Sequence, residues 1–251
     1  KKLRWPLLIA LLALVVIGAL LISQRTPTLQ PIAEPEIEPA EGGVYAEGLI
    51  GSLIRLNPLL DSYNSPDRDL DRLIYSGLLR FTDNGTPQGD LAESWGISRD
   101  GTIYNFSLRP AAVWHDGQPV TSDDVIFTIE SMRAADSPLP ADLVQFWQQI
   151  ELVRLDEKTI QFRLPEAFAP FMDYLTFGML PSHLLGDLTF SQMVDDPFNL
   201  QPVGSGPYRF DHLLVEGGQI AGIVLSAFKD YYGQPAYIEQ IAFRYYPDTA
   251  A

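Results

Sequence analysis

The chain has 251 residues, 46% of them apolar and 20% charged, enough for one large domain or two ordinary ones. Its 17 Lys and Arg against 32 Asp and Glu leave a net charge of −15, the wrong sign for a nucleic-acid binder and a common one for an exported, soluble protein. Cysteine is absent, which excludes disulfides, thiol nucleophiles, Cys-ligated metals and a lipid-modified N-terminal cysteine.

Trp5 to Gln24 contains no charge, and Trp5 to Ile22 is nearly all Leu, Ile, Val and Ala. A helix over that run is roughly 27 Å long, close to the ~30 Å hydrocarbon core of a bilayer. Lys1, Lys2 and Arg4 precede it and only Arg25 follows, so the positive-inside rule puts the N-terminus in the cytoplasm and the rest outside. The run is longer than the roughly 7 to 15 residues of a secretory core, and "GALLISQR" is a poor cleavage site. Residues 1–25 are therefore expected to be a cytoplasmic stub and a single-pass anchor in the cell membrane, with a cleaved signal peptide as the alternative. Residues 26–42, with prolines at 27, 31, 35 and 39 and acids at 34, 36, 38 and 41, read as a linker, either semi-rigid polyproline or disordered.

The folded part is expected over 43–251, with the same net charge of −15, because four residues of each sign lie at or before residue 42. After the turn signal Asp100-Gly101, Tyr104, Phe106 and Leu108 alternate with polar residues, which predicts a hairpin with one buried face. A second hairpin is predicted from Leu152-Val153, the turn at Asp156-Glu157-Lys158, and Ile160, Phe162 and Leu164. Helical spacing joins Val125, Ile129 and Met132, then Leu143, Phe146, Trp147 and Ile150. Two more strands are read in "GQIAGIVLSAFKDYYG" and "IEQIAFRYYP". Hairpins and helices without a strict βαβ rhythm predict an α/β protein with mixed sheets. The stop at "DTAA" reads as a fragment of a longer protein.

No catalytic constellation emerges. His115, His183 and His212 lack the spacing of a zinc site, Gly204-Ser205-Gly206-Pro207 has the wrong spacing for a serine nucleophile elbow, and nucleotide-binding glycine motifs are absent. Asp123 and Asp124 point about 100° apart on a helix, so they do not face one substrate; Thr121 with Asp124 has capping-box spacing instead. In "VWHDGQPVTSDDVIFTIESMR", Asp116-Gly117 reads as a turn after a Val113-Trp114 strand, and His115 as a solvated or capping histidine. Catalytic residues, cofactors and metal ligands are all expected to be none.

That stretch, at Trp114, Asp116, Gly117, Pro119, Val120, Thr121, Ser122, Asp124, Val125, Phe127 and Thr128, resembles the W-x-D-G-x-P-(V/L)-T-(A/S)-x-D-V-x-F-(T/S) signature of the family 5 extracellular solute-binding proteins. These are the dipeptide-, oligopeptide- and nickel-binding components of ABC importers. "LNPLLDSYNSPDRDLDRLIYSGLLRFTDNGTPQGDLAESW", "PVGSGPYRF" and "FKDYYGQPAYIEQIAFRYYPD" resemble further blocks of the family in its order. The resemblance implies a two-lobed type II periplasmic-binding fold that closes on its ligand by a hinge. Lobe one is then expected from 43–75 and 181–251, an inserted subdomain from 76–180, and the C-terminal lobe beyond Ala251. The sequence departs from many members by carrying an apolar helix and proline spacer in place of a lipid-modified cysteine.

By position, Tyr63, Asn64 and Ser65 resemble the segment that pairs with a peptide backbone as an added strand, against a reading of Asn64-Ser65-Pro66 as a surface turn. Phe146, Trp147 and Phe177 are candidate apolar walls of the cleft, against a reading as core. Gly204, Ser205 and Gly206 are expected to shape the crossover between lobes, the glycines serving positive φ rather than close contact. The function implied is capture of a solute, peptides first, by a monomer that delivers it to ABC permease subunits. The alternatives are a membrane-tethered sensor or adhesion module, or a binder of sugars or nickel chelates.

Overall fold

The computed structural model describes residues 4–23 and 40–247; the predicted linker lies almost wholly outside them, as does the "DTAA" terminus. Helix α1 (Arg4–Ser23) is apolar all round, and no charge interrupts it between Trp5 and Ser23. Over Trp5–Ser23 its mean hydropathy is 2.8 and none of it is buried, so it is long and apolar enough to cross a membrane.

From Ala40 onward the chain forms a second unit built on two four-stranded sheets. In the first, β1 (Val44–Ile50) runs parallel to a strand from the far end of the chain, Val44 opposite Gln240 and Ile50 opposite Tyr246. After it come α2 (Ser65–Ile74) and the short antiparallel pair β2 (Leu79–Phe81) and β3 (Pro87–Gly89). The second sheet holds β4 (Ala92–Ile97), β5 (Ile103–Leu108), β6 (Glu151–Arg154) and β7 (Thr159–Arg163) in the order β4-β5-β7-β6, every pair antiparallel.

The predicted hairpins lie in this second sheet. Gly101 takes φ 72° at the β4–β5 turn, and the Asp156 carboxylate accepts the Lys158 N–H at 2.8 Å in the β6–β7 turn. Tyr104, Phe106 and Leu108 point inward beside Ile160 and Phe162, and the Phe106 and Phe162 rings meet edge to face at 5.6 Å. Each such side chain contributes about 1.5 to 3 kcal/mol by leaving water.

Two helices connect β5 to β6: α3 (Ser122–Met132), with Val125, Ile129 and Met132 buried, and α4 (Ala141–Gln148), which buries Trp147 completely. After β7 the chain passes through a 3-10 stretch, Ala169–Leu175, and the short helices α5 (Ser182–Leu185) and α6 (Phe190–Val194). It then returns to the first sheet as β8 (Tyr208–Glu216), β9 (Gln219–Ala227) and β10 (Gln240–Tyr246), giving the order β1-β10-β9-β8. Gly217 and Gly218, both at positive φ, close the β8–β9 hairpin, as a two-residue turn of that hand requires.

Candidate ligand cleft

The signature stretch that looks like an active site is a scaffold. Val113 and Trp114 form no strand; Val113 makes an isolated bridge to Pro119, and Gly117, at φ 88°, turns the chain between them. Asp124, 2% exposed, is the centre of the arrangement. One of its carboxylate oxygens accepts from Ser182 N at 2.9 Å and Ser182 Oγ at 2.7 Å. The other accepts from Thr121 N at 2.7 Å, Thr121 Oγ1 at 3.2 Å and the Trp114 indole at 3.3 Å. Asp123 is exposed and pairs with Arg154 at 2.8 Å. Every contact that Asp124 makes is structural, in keeping with the capping box read from the sequence.

His115 is neither solvated nor a cap. Its Nδ1 accepts the Gly204 N–H at 3.1 Å, so in the neutral ring Nε2 donates to the Gly206 carbonyl, also at 3.1 Å. Burial holds its pKa down at about 4, against the ordinary 6.5, with the Gly206 contact opposing. His115 therefore braces the Gly204–Gly206 loop in its neutral form.

The glycines of that loop correct the sequence reading. Neither Gly204 nor Gly206 is at positive φ. Instead the loop presses on the end of α2: Gly206 N–H donates to Ile74 O at 2.8 Å, a Cβ on Gly206 would sit 2.5 Å from Leu73 O, and one on Gly204 would overlap the Ile74 carbonyl. Close approach, not backbone conformation, demands glycine here.

On another side, α2, through Arg68, Asp71 and Arg72, borders a cleft of about 780 Å³ that the loop itself does not line. Trp147 and Phe177 border it, their rings edge to face at 5.9 Å, and both also belong to the core: Trp147 is fully buried and Phe177 packs against the buried cluster. Phe146 does not line it; it stacks behind, 5.3 Å from Trp147 and 4.6 Å from Tyr174. Tyr63, Asn64 and Ser65 do not line it either, although Asp61 and Ser62 just before them do. Tyr63 is 88% exposed, Asn64 Nδ2 donates to Ser52 O at 2.9 Å, and Ser65 Oγ accepts from Arg68 at 3.0 Å. The structure thus brings Trp147 and Phe177 together and leaves the Tyr63–Ser65 segment beside the cleft.

Sequence reasoning missed the acids of this wall. Asp67 and Asp71 are buried on α2 in one stripe with Leu70 and Ile74, and acids at that spacing on an apolar helix face were the available signal. Asp67 accepts Ile54 N at 3.0 Å and Arg55 N at 2.9 Å. Neither carboxylate oxygen of Asp71 makes a hydrogen bond of ordinary geometry; burial, then Asp61 and Asp67, push its pKa well up, against the nearby Asn57 backbone N–H. Burial also pushes the Asp61 carboxyl up, to about 6, against Arg68 and Arg72. Farther along the wall Asp90 accepts the Tyr232 hydroxyl at 2.6 Å, and burial raises its pKa. Among the described residues no group of three or more His, Asp or Glu is placed to hold a metal ion.

Residues 86–251 match the family described as bacterial extracellular solute-binding proteins, family 5. The chain belongs to that family. A putative ABC transporter peptide-binding protein of Brucella ovis is 34% identical over 167 residues, which are 65% of this chain and 30% of that one. The oligopeptide-binding protein AppA of Bacillus subtilis, solved with a nonapeptide, superposes with a TM-score of 0.75 at 25% identity, over 84% of this chain and 41% of AppA. NikZ of Campylobacter jejuni, solved with Ni(L-His), gives a TM-score of 0.70 at 28% identity, over 82% and 40%. The mixed α/β fold is thus that of periplasmic binding proteins, and the chain spans less than half the length of each. The family is one of solute-binding proteins, not enzymes, and it is extracellular.

Proposed function

We propose that this chain is part of the extracytoplasmic solute-binding component of an ABC importer and that the solute is a peptide. In this reading the protein captures its ligand by hinge closure between two lobes and hands it, as a monomer, to permease subunits. Lobe one comprises 43–75 and 181–251, the inserted subdomain 76–180, and the facing lobe comes from sequence outside this chain. α1 holds the protein in the cell membrane by a single pass, with 26–42 as the spacer.

The observation that carries the reading is the 780 Å³ cleft, whose wall combines apolar side chains such as Phe81, Leu139 and Phe177 with charged ones of both signs. That is the size and the mixture expected of a small-ligand site. The peptide-binding names of the Brucella and Bacillus relatives support a peptide over other solutes. The test is gentle purification of the whole protein from its host, followed by native mass spectrometry of what it carries. A mixture of short peptides is the expected result. A nickel chelate, as in NikZ, or a sugar would replace the peptide, and an empty protein that no solute stabilises would point to the tethered sensor or adhesion module. Alkaline carbonate extraction of host membranes tests the anchor: release of the protein at mature length would mean that α1 had been cleaved.

A further inference from the structure

Arg55, Arg133, Arg154, Arg163 and Arg244 each pair with a carboxylate. Arg68, Arg72 and Arg80, which border the cleft, do not; among the described residues, the only side-chain hydrogen bond these three make is from Arg68 to Ser65 Oγ, at 3.0 Å. In a unit with a net charge of −15, guanidinium groups without an acid partner are not the ordinary arrangement. Arg72 and Arg80 are exposed and Arg68 half-buried, so their charges are open to solvent. Arg68 and Arg72 are moreover four residues apart on α2, neighbours on one face of the helix, where like charges repel. An anion held between them relieves that repulsion.

The acids of the same wall do not supply it. Asp71 is 3% exposed, and burial opposes its ionisation. Asp90 accepts the Tyr232 hydroxyl, and Asp173 stands on the separate 3-10 stretch Ala169–Leu175. Asp61 feels both Arg68 and Arg72, yet burial still holds its pKa at about 6, so the two cations do not offset its loss of water. Resting on the proposed role of this cleft as the solute site, we propose that the cleft selects anionic ligands, with Arg68 and Arg72 on α2 and Arg80 on β2 taking the side-chain carboxylates of acidic peptides. A guanidinium offers a carboxylate two parallel N–H donors, which favours it over a neutral side chain in pairing and in geometry. The selectivity is for side chains and is separate from whatever holds the ligand's termini. The field of the whole unit, at −15, repels acidic peptides, so a preference for them has to come from these local groups.

The test is calorimetric titration of the whole protein with trialanine, triglutamate, trilysine and citrate. Triglutamate should bind at least tenfold more tightly than trialanine, with an advantage that shrinks as salt is added, and trilysine more weakly than either. Arg68→Gln and Arg72→Gln should each cut that advantage several-fold, Arg72→Lys should keep part of it, and Arg99→Gln, in the β4–β5 turn away from the cleft, should leave it whole. If trialanine or trilysine binds as tightly as triglutamate, or if the advantage survives with both Arg68 and Arg72 replaced by Gln, the inference falls while the peptide reading stands. Binding of citrate and of no peptide, lost in that double variant, would uphold the guanidinium site and overturn the peptide reading. Binding of none of the four would overturn both. The comparison among the three peptides and its salt dependence need no variant, and a melting temperature equal to the parent's checks that each variant is folded.

Discussion

Asp124 and Ser182, 58 residues apart, are joined twice, the carboxylate accepting both the backbone N–H and the hydroxyl of the serine. This links the start of α3 to the start of α5, and the other oxygen ties in Trp114 and Thr121. Removing the carboxylate strands several buried donors at once. Asp124→Ala should therefore lose about 3 kcal/mol of stability or more, read from urea unfolding. A loss under about 1 kcal/mol would show that the network contributes little.

His115 makes stability depend on pH. Its neutral ring accepts from Gly204 N, and a proton on Nδ1 removes that acceptor. Its folded pKa, about 4, lies below the ordinary 6.5, so its contribution is complete above 6.5 and is lost as pH falls toward 4. The loss should be on the order of 2 to 3 kcal/mol. Thermal melts from pH 7.5 to 4 should fall more steeply for the parent than for His115→Gln, which is neutral throughout. Parallel curves would mean that the brace does not sense protons.

The features legible in the sequence are those set by near neighbours. Tyr104, Phe106 and Leu108 announce β5 because period two is a local property, and Thr121 with Asp124 announces the start of α3 because a capping box spans four residues. At Gly204 and Gly206 the sequence is ambiguous, since positive φ and close approach leave the same residue there, and the structure shows close approach. What separates them is Ile74, far away in the chain. The candidate site divides the same way. Trp147, Phe177 and Phe146 look alike in the sequence as bulky apolar residues, yet only the first two border the cleft and Phe146 packs one layer back. Asp61 and Asp71 owe their state to burial by distant segments.

Asp61 titrates with the opposite sign to His115. Its pKa rises from 3.8 to about 6, so its favourable contribution is complete below 3.8 and is lost as pH rises through 6. Asp61→Asn removes this term. The variant should gain on the parent by on the order of 1 kcal/mol between pH 4 and 7, less than the full shift implies because solvent screens a partly exposed group. Equal melting temperatures for the two across that range would show that Asp61 ionises normally.

The contact between the Gly204–Gly206 loop and α2 has almost no slack. A methyl group at 204 overlaps the Ile74 carbonyl, which is backbone and has no rotamer by which to move aside. Gly206 N–H already uses that same carbonyl as its acceptor, at 2.8 Å, so yielding at one glycine disturbs the other. Gly204→Ala should cost about 3 kcal/mol or more, toward the upper end for overpacking. Gly117→Ala places its methyl in open space, although φ is 88° there, so its cost is the backbone strain alone, about 1 to 2 kcal/mol. Urea unfolding of the two variants side by side separates the mechanisms. A smaller loss for Gly204→Ala than for Gly117→Ala would mean that the loop can withdraw from α2, and the His115 brace would then have to move with it.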